Sequence, residues 1–148
     1  MQGADCNVLS LHTHLNLYAY SRGKEHDVFL FEVHENRDVK AFIINLIKSK
    51  RDAVSLLRRL DATAKEGIVW NPTHVRALRY NAKPICEFKG GQARILWFQD
   101  QFDSRNLICT NAFSKKGDQT PASEINTAHA RMKLFYANRA KLLKETKR

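Results

Sequence analysis

Residues 85–124 read ICEFKGGQARILWFQDQFDSRNLICTNAFSKKGDQTPASE, and the fold is decided there. Ile85–Phe88 is a short strand pattern, and Gly90-Gly91 is a hairpin signal behind it. Ala93–Phe98 supplies a second strand, and Asp100–Arg105 a polar turn. Asn106–Phe113 gives a third strand, followed by a basic loop over 114–119. Thr120-Pro121 then predicts a helix start, with Thr as the cap and Pro at the first helical position. The cations of this stretch, Lys89, Arg94, Lys115 and Lys116, fall on strands or at strand ends. A cation on a strand face needs solvent or an anionic partner, because burying it alone is costly. Several converging on one sheet make a site for phosphates.

Downstream, Ile125, Ala128, Met132, Phe135 and Leu142 recur at helical spacing and predict one long final helix that frays over KLLKETKR. Upstream, Val28–Val33 is apolar, aromatic and β-branched, which predicts a strand, and 35–38 is a turn with Asn36 or Asp38 as an N-cap. Val39, Phe42, Ile43, Leu46 and Ile47 form one helical stripe; Val54, Leu57, Leu60 and Ala64 form a second. The polar break 49–52 between them favours a helical hairpin over one long helix, with Gly67 as the stop. Ile68–Pro84 reads as a connector holding a short helical turn over 74–80. Residues 1–27 are least legible; the weak alternation over 8–20 suits an added edge strand or hairpin arm before a turn at 21–25.

The chain has 148 residues, enough for one domain with a core, and a net charge of +10. That charge favours a polyanionic partner, although a solvated basic surface would give the same count. Nine Lys or Arg stand against three Asp or Glu from Ser114 onward. Cys6, Cys86 and Cys109 are few, scattered and odd in number, which argues for reduced thiols in a cytoplasmic protein, with Cys86 and Cys109 as core residues. No apolar run suits a membrane span and no signal peptide is apparent, so no membrane association is expected.

Over residues 28–136 the chain resembles the RelE/HigB/ParE toxin superfamily, and most of all its phage-derived HigB-like branch. The resemblance rests on Ile85-Cys86-Glu87-Phe88-Lys89, Gly90-Gly91, Arg94-Ile95-Leu96-Trp97, Ala112-Phe113-Ser114-Lys115-Lys116, Gln119-Thr120-Pro121 and Glu124-Ile125. It implies an α+β, microbial RNase-like (RelE-type) fold: an antiparallel sheet packed against an N-terminal helical hairpin, plus a C-terminal helix. The single domain would then comprise an extension over 1–27, a toxin core over 28–136 and a basic helix end over 137–148. It implies a type II toxin that cleaves mRNA on the ribosome, needs no cofactor or metal, and is neutralised by a cognate antitoxin of helix-turn-helix type.

Such cleavage uses the adjacent 2′-OH as nucleophile. One group must take its proton, another must neutralise charge on the phosphorane, and a third must protonate the leaving 5′-oxygen. By motif position, Arg94 carries transition-state charge stabilisation, for which a guanidinium fork is suited. Lys116 stabilises the phosphate or protonates the leaving group, and Lys115 contacts the RNA backbone. Lys89 is a candidate general base. Glu87 shares its strand face and is either an acid/base or half of a cross-strand ion pair. Arg94 and Lys116 are both expected to be exposed. Asn111 stands where the family pattern has His, and no Tyr occurs between Lys116 and Tyr136. His129 on the final helix is a substitute acid/base or an ordinary helix residue. That departure supports the alternative of a toxin that blocks a target such as DNA gyrase without cutting RNA, or a phage nucleic-acid-binding protein.

The remaining features have plainer readings. His12 and His14 have metal-compatible spacing but lack further ligands nearby. Trp70 and Trp97 are expected in the core. Phe113 either stacks on a base or is core. Lys48, Lys50, Arg51, Arg58 and Arg59 either grip RNA or form a solvated face.

Overall fold

The computed structural model describes residues 14–146 except 34–38, 48–50, 72–74, 81–82 and 118. Among the described residues the elements run β1 (Leu15–Arg22), β2 (Asp27–Val33), α1 (Val39–Ile47), α2 (Arg51–Glu66), β3 (Val75–Tyr80), β4 (Lys83–Gly90), β5 (Ala93–Gln99), β6 (Asn106–Ser114), α3 (Ala122–Ala137) and α4 (Arg139–Lys144). The strands form one sheet in the order β1-β2-β6-β5-β4-β3. The neighbours are antiparallel except β2 and β6, which run parallel. The sheet is therefore mixed, not antiparallel throughout. Joining β2 to β6 needs a long crossover, which the two helices and three strands between them provide.

Side-chain alternation splits the core into two layers. Val28, Leu30, Phe88, Ile95, Trp97 and Leu107 face α1 and α2. Phe29, Phe31, Leu96, Phe98 and Ile108 face α3 and α4. Sheet residues buried on both sides explain why β5 and β6 read as nearly continuous apolar runs. The two helical stripes are separate helices on one face, as the polar break at 49–52 predicts. Gly67 ends α2 at φ +99°, and its N–H donates to the Thr63 carbonyl.

Several expectations change. Residues 75–80 are an edge strand, not a helical turn. Leu15–Arg22 of the N-terminal arm is an edge strand that forms a hairpin with β2, which meets both of its readings, while residues 8–13 lie outside the described residues. α3 begins one residue later than predicted: Pro121 is its N-cap and lends no side-chain cap. The Thr120 hydroxyl is used elsewhere, as described below. The final helix is broken at Asn138, whose side-chain amide donates to the Leu134 carbonyl. Trp70 is 57% exposed and stacks over the fully buried Trp97. Cys86 and Cys109 are buried free thiols as expected; burial pushes the Cys86 thiol up to about 12. The turn over 35–38, residues 72 and 73 of the 71–73 turn signal, Cys6, His12, Lys48 and Lys50 lie outside the described residues.

Candidate functional site

The β4–β5 hairpin builds the site. Its turn is Gly91-Gln92, closed by the pair Gly90–Ala93. Gly91 adopts φ +59°, a left-handed conformation that favours glycine. A Cβ on Gly90 would lie 2.5 Å from the backbone nitrogen of Leu56, so the hairpin packs directly on α2. The Asp52 carboxylate at the start of α2 accepts the Gln92 N–H at 2.9 Å. The Gln92 carbonyl in turn accepts the Lys115 N–H at 2.8 Å. One tight turn thus fixes α2, β4, β5 and the loop after β6 against each other.

On the α3 side of this hairpin lies a carboxylate ringed by cations. Glu87 on β4 is fully buried. Its Oε2 accepts the Thr120 hydroxyl at 2.5 Å, and its Oε1 accepts from Arg76 Nη2 at 3.4 Å. Arg94 Nε stands 3.7 Å from the same Oε1. Arg76 is directly opposite Glu87 in the β3–β4 register, and its Nη2 also reaches the Thr120 hydroxyl at 3.4 Å. Lys89, two residues along β4, is half-buried and shares the face of Glu87, as the strand periodicity predicts. Its ammonium is held below the usual lysine range, first by burial and then by Arg76; Glu87 opposes the shift, while Arg94 and Lys115 add to it. Arg76, Arg94 and Lys89 thus gather at one acid, Lys115 lies near enough to act on Lys89, and the local field is positive.

These placements change several assignments. Arg94 is 8% exposed, not open to solvent, and its Nη1 donates to the Gly91 carbonyl at 2.6 Å and the Ala93 carbonyl at 3.0 Å. Burial is the main reason its guanidinium is held below the ordinary arginine value. Glu87 is fully buried with both oxygens engaged, and it forms the cross-strand ion pair that was one of its two readings. Lys115 is 8% exposed, so the solvent-facing loop cation is Lys116. Phe113, also 8% exposed, packs in the α3-side core and offers no open ring face to a base. Arg51 and Arg58 are exposed on α2, while Arg59 is half-buried.

Asn111 holds the position given to His in the family pattern, and its work is structural. It is fully buried, and its side-chain amide donates to the Glu124 carbonyl at 3.1 Å and the Glu124 carboxylate at 3.0 Å. The Thr110 hydroxyl lies 2.7 Å from Asn111 Oδ1. Thr110 is the extra residue of a β-bulge, since Leu96 pairs with Asn111 and Trp97 with Cys109. The bulge turns Asn111 toward α3 and fixes the first turn of that helix beside the cluster. His129, half-buried, is seven residues beyond the first residue of α3, about 10 Å along its axis at the usual helical rise.

Sequence reasoning missed Arg76 and the hydroxyl of Thr120. Arg76 was hidden because 75–80 looked like part of a connector. The signal available was the run Val75-Arg76-Ala77-Leu78, in which Arg76 and Leu78 fall on one strand face. Among the described residues, no three His, Cys, Asp or Glu side chains gather as a metal site. Likewise no described helix is long and apolar enough to cross a membrane.

A family model described as phage-derived protein Gp49-like (DUF891) matches residues 45–133, more than half of the chain. The chain belongs to the phage-derived Gp49-like family. The Gp49-like match begins within α1 and contains every member of the cluster: Arg76, Glu87, Lys89, Arg94, Lys115, Lys116 and Thr120. β1 and β2 lie outside it. No curated protein matches the chain.

Proposed function

We propose that this Gp49-like protein is the toxin of a type II toxin–antitoxin system, a cytoplasmic endoribonuclease that cuts mRNA on the ribosome. The observation that carries the reading is the cation cluster around Glu87, with the exposed Lys116 next in sequence to Lys115 in the loop after β6. Such a cluster suits a phosphodiester: it offers positive charge and fork-shaped donors in a partly desolvated setting, where they act more strongly than in water.

In this mechanism Lys89 takes the proton of the 2′-OH. Its depressed pKa gives it a larger neutral fraction than an ordinary lysine, which is what a base near neutral pH needs. The oxygen then attacks the adjacent phosphorus, and the P–O5′ bond breaks to leave a 2′,3′-cyclic phosphate. The guanidinium groups offset charge on the phosphorane. Lys116, free to follow the substrate in solvent, protonates the departing 5′-oxygen. A small antitoxin, of helix-turn-helix type, would keep the toxin silent. The family membership and the basic cluster support this reading, and the net charge of +10 agrees with a polyanionic substrate.

A second reading has its own observation. Asn111 is locked into the fold where relatives are expected to carry a proton-transfer His. A protein of this shape that binds and blocks a target without cutting RNA would tolerate that. The two separate on the product. Purified protein added to a translating extract should yield new mRNA fragments ending in 2′,3′-cyclic phosphate; stalled translation with intact mRNA would favour the blocking reading.

A further inference from the structure

Two arginines meet Glu87, and they are not equivalent. Arg94 is held from several sides: Nη1 donates to two carbonyls of the β4–β5 turn, Nε faces Glu87, and the side chain is 10% exposed. Moving it toward a ligand would leave those carbonyls without a donor and Glu87 with less compensation. Arg76 is held loosely. Its side chain is 36% exposed, and its contacts to Glu87 and Thr120 are both at 3.4 Å, near the limit of a hydrogen bond. Its Nε, like that of Arg94, is buried without a hydrogen-bond partner, so the difference lies in the other nitrogens and in exposure. It stands on β3, which is an edge strand among the described residues.

Resting on the RNA-cleaving reading above, we infer that Arg76, rather than the motif-matched Arg94, grips the scissile phosphate, and that Arg94 is a positioning residue. Arg94 ties Glu87 to the hairpin turn; Glu87 and the Thr120 hydroxyl then hold the Arg76 fork facing outward beside Lys89. A phosphate arriving there is met by the exposed part of the Arg76 guanidinium, whose planar fork suits two phosphate oxygens. Arg76 needs to give up only long contacts to do so. The substrate class is a single-stranded phosphodiester, since a half-exposed arginine at a sheet edge reads charge and backbone shape rather than base edges.

The test uses the full chain and a fluorescently labelled, non-cleavable RNA oligonucleotide in which the 2′-OH groups are methylated. Affinity is followed by anisotropy, and folding by melting temperature. Arg76→Gln should weaken binding about tenfold, the loss of one charge-assisted phosphate contact. Its melting temperature should stay within about 2 °C of the parent, as for a substitution of a partly exposed residue. Arg76→Lys should recover only part of the affinity, because it restores charge without the fork. Arg94→Gln should lower the melting temperature by several degrees, with its affinity loss accompanied by that destabilisation. Parent-like RNA affinity for folded Arg76→Gln overturns the inference while leaving the RNA-cleaving reading intact. A parent chain that binds no RNA also overturns the inference, and the mRNA fragments from the translating extract then decide the RNA-cleaving reading separately.

Discussion

The cost of a buried carboxylate explains much of the site at the scale of single residues. Glu87 is fully buried, and Thr120, Arg76 and Arg94 together offset the loss of its hydration. Glu87→Gln should cost about 1–3 kcal/mol, since Arg94 is left less compensated while Arg76 still reaches solvent; urea denaturation would measure it. Lys89 sets a pH dependence. Its folded pKa lies below the ordinary 10.5, so the unfolded chain binds more protons between the two values. The stability contribution of this residue therefore rises with pH across that window. In the mechanism the neutral amine is the active form, so cleavage should also rise as pH passes the lowered pKa. Lys89→Met should flatten that limb of the pH–rate profile; an unchanged limb would assign the base elsewhere. At this scale the sequence pointed to Lys89, Arg94, Glu87 and Lys116, because cations on alternating strand positions stand out. It did not show which were buried. Arg94 and Lys116 both look exposed in a string of letters, and packing and hydrogen bonds remove only Arg94 from solvent.

The hairpin and its neighbours dominate at the scale of elements. A methyl group at Gly90 would meet the backbone of Leu56, which cannot swing aside as a side chain could. Gly90→Ala should therefore destabilise the fold by about 1–3 kcal/mol through overpacking, visible as a lower melting temperature. At the other end of β5, Asp100 is buried and bonded to Arg139, to Asn106 and to the Phe102 N–H. Burial raises its pKa, but the bonds outweigh burial, and the carboxyl is held below its usual range. Its stabilising contribution is present above the unfolded value and is lost as pH falls through the folded one. Asp100→Asn should accordingly remove part of the acid sensitivity and loosen α4; faster amide exchange over 139–144 would show it. The Gly90-Gly91 hairpin, the two helices over 39–66 and the Gly67 stop were legible because glycine, periodicity and polar breaks act locally. β3 was not, since it lies between turn signals at 72 and 84 and is stabilised by pairing with β4. The break at Asn138 carries no Pro or Gly to announce it.

For the molecule as a whole, the parallel pairing of β2 with β6 is the feature least visible in sequence, because nothing in 28–33 or 106–113 encodes direction. The resemblance to antiparallel-sheet toxins pointed the other way on that detail, while the α+β class and the order of elements from residue 85 onward followed from local pattern. The charge of +10 could be a solvated surface, but the cluster gives it a focus at one end of the sheet. If Arg76, Lys89 and Lys116 together neutralise about three phosphates, log affinity for single-stranded RNA should fall against log salt with a slope of about −2. A slope near zero would remove the electrostatic basis of the reading. The central claim, that this cluster makes the protein a toxin that cuts mRNA, is tested most directly by inducing the chain in a bacterial host beside an Arg76→Gln/Lys116→Ala variant, with growth and mapped mRNA 5′ ends recorded. The account predicts growth arrest with new mRNA ends from the parent chain, and neither from the folded variant. Arrest with intact mRNA, or equal cleavage by both chains, would contradict it.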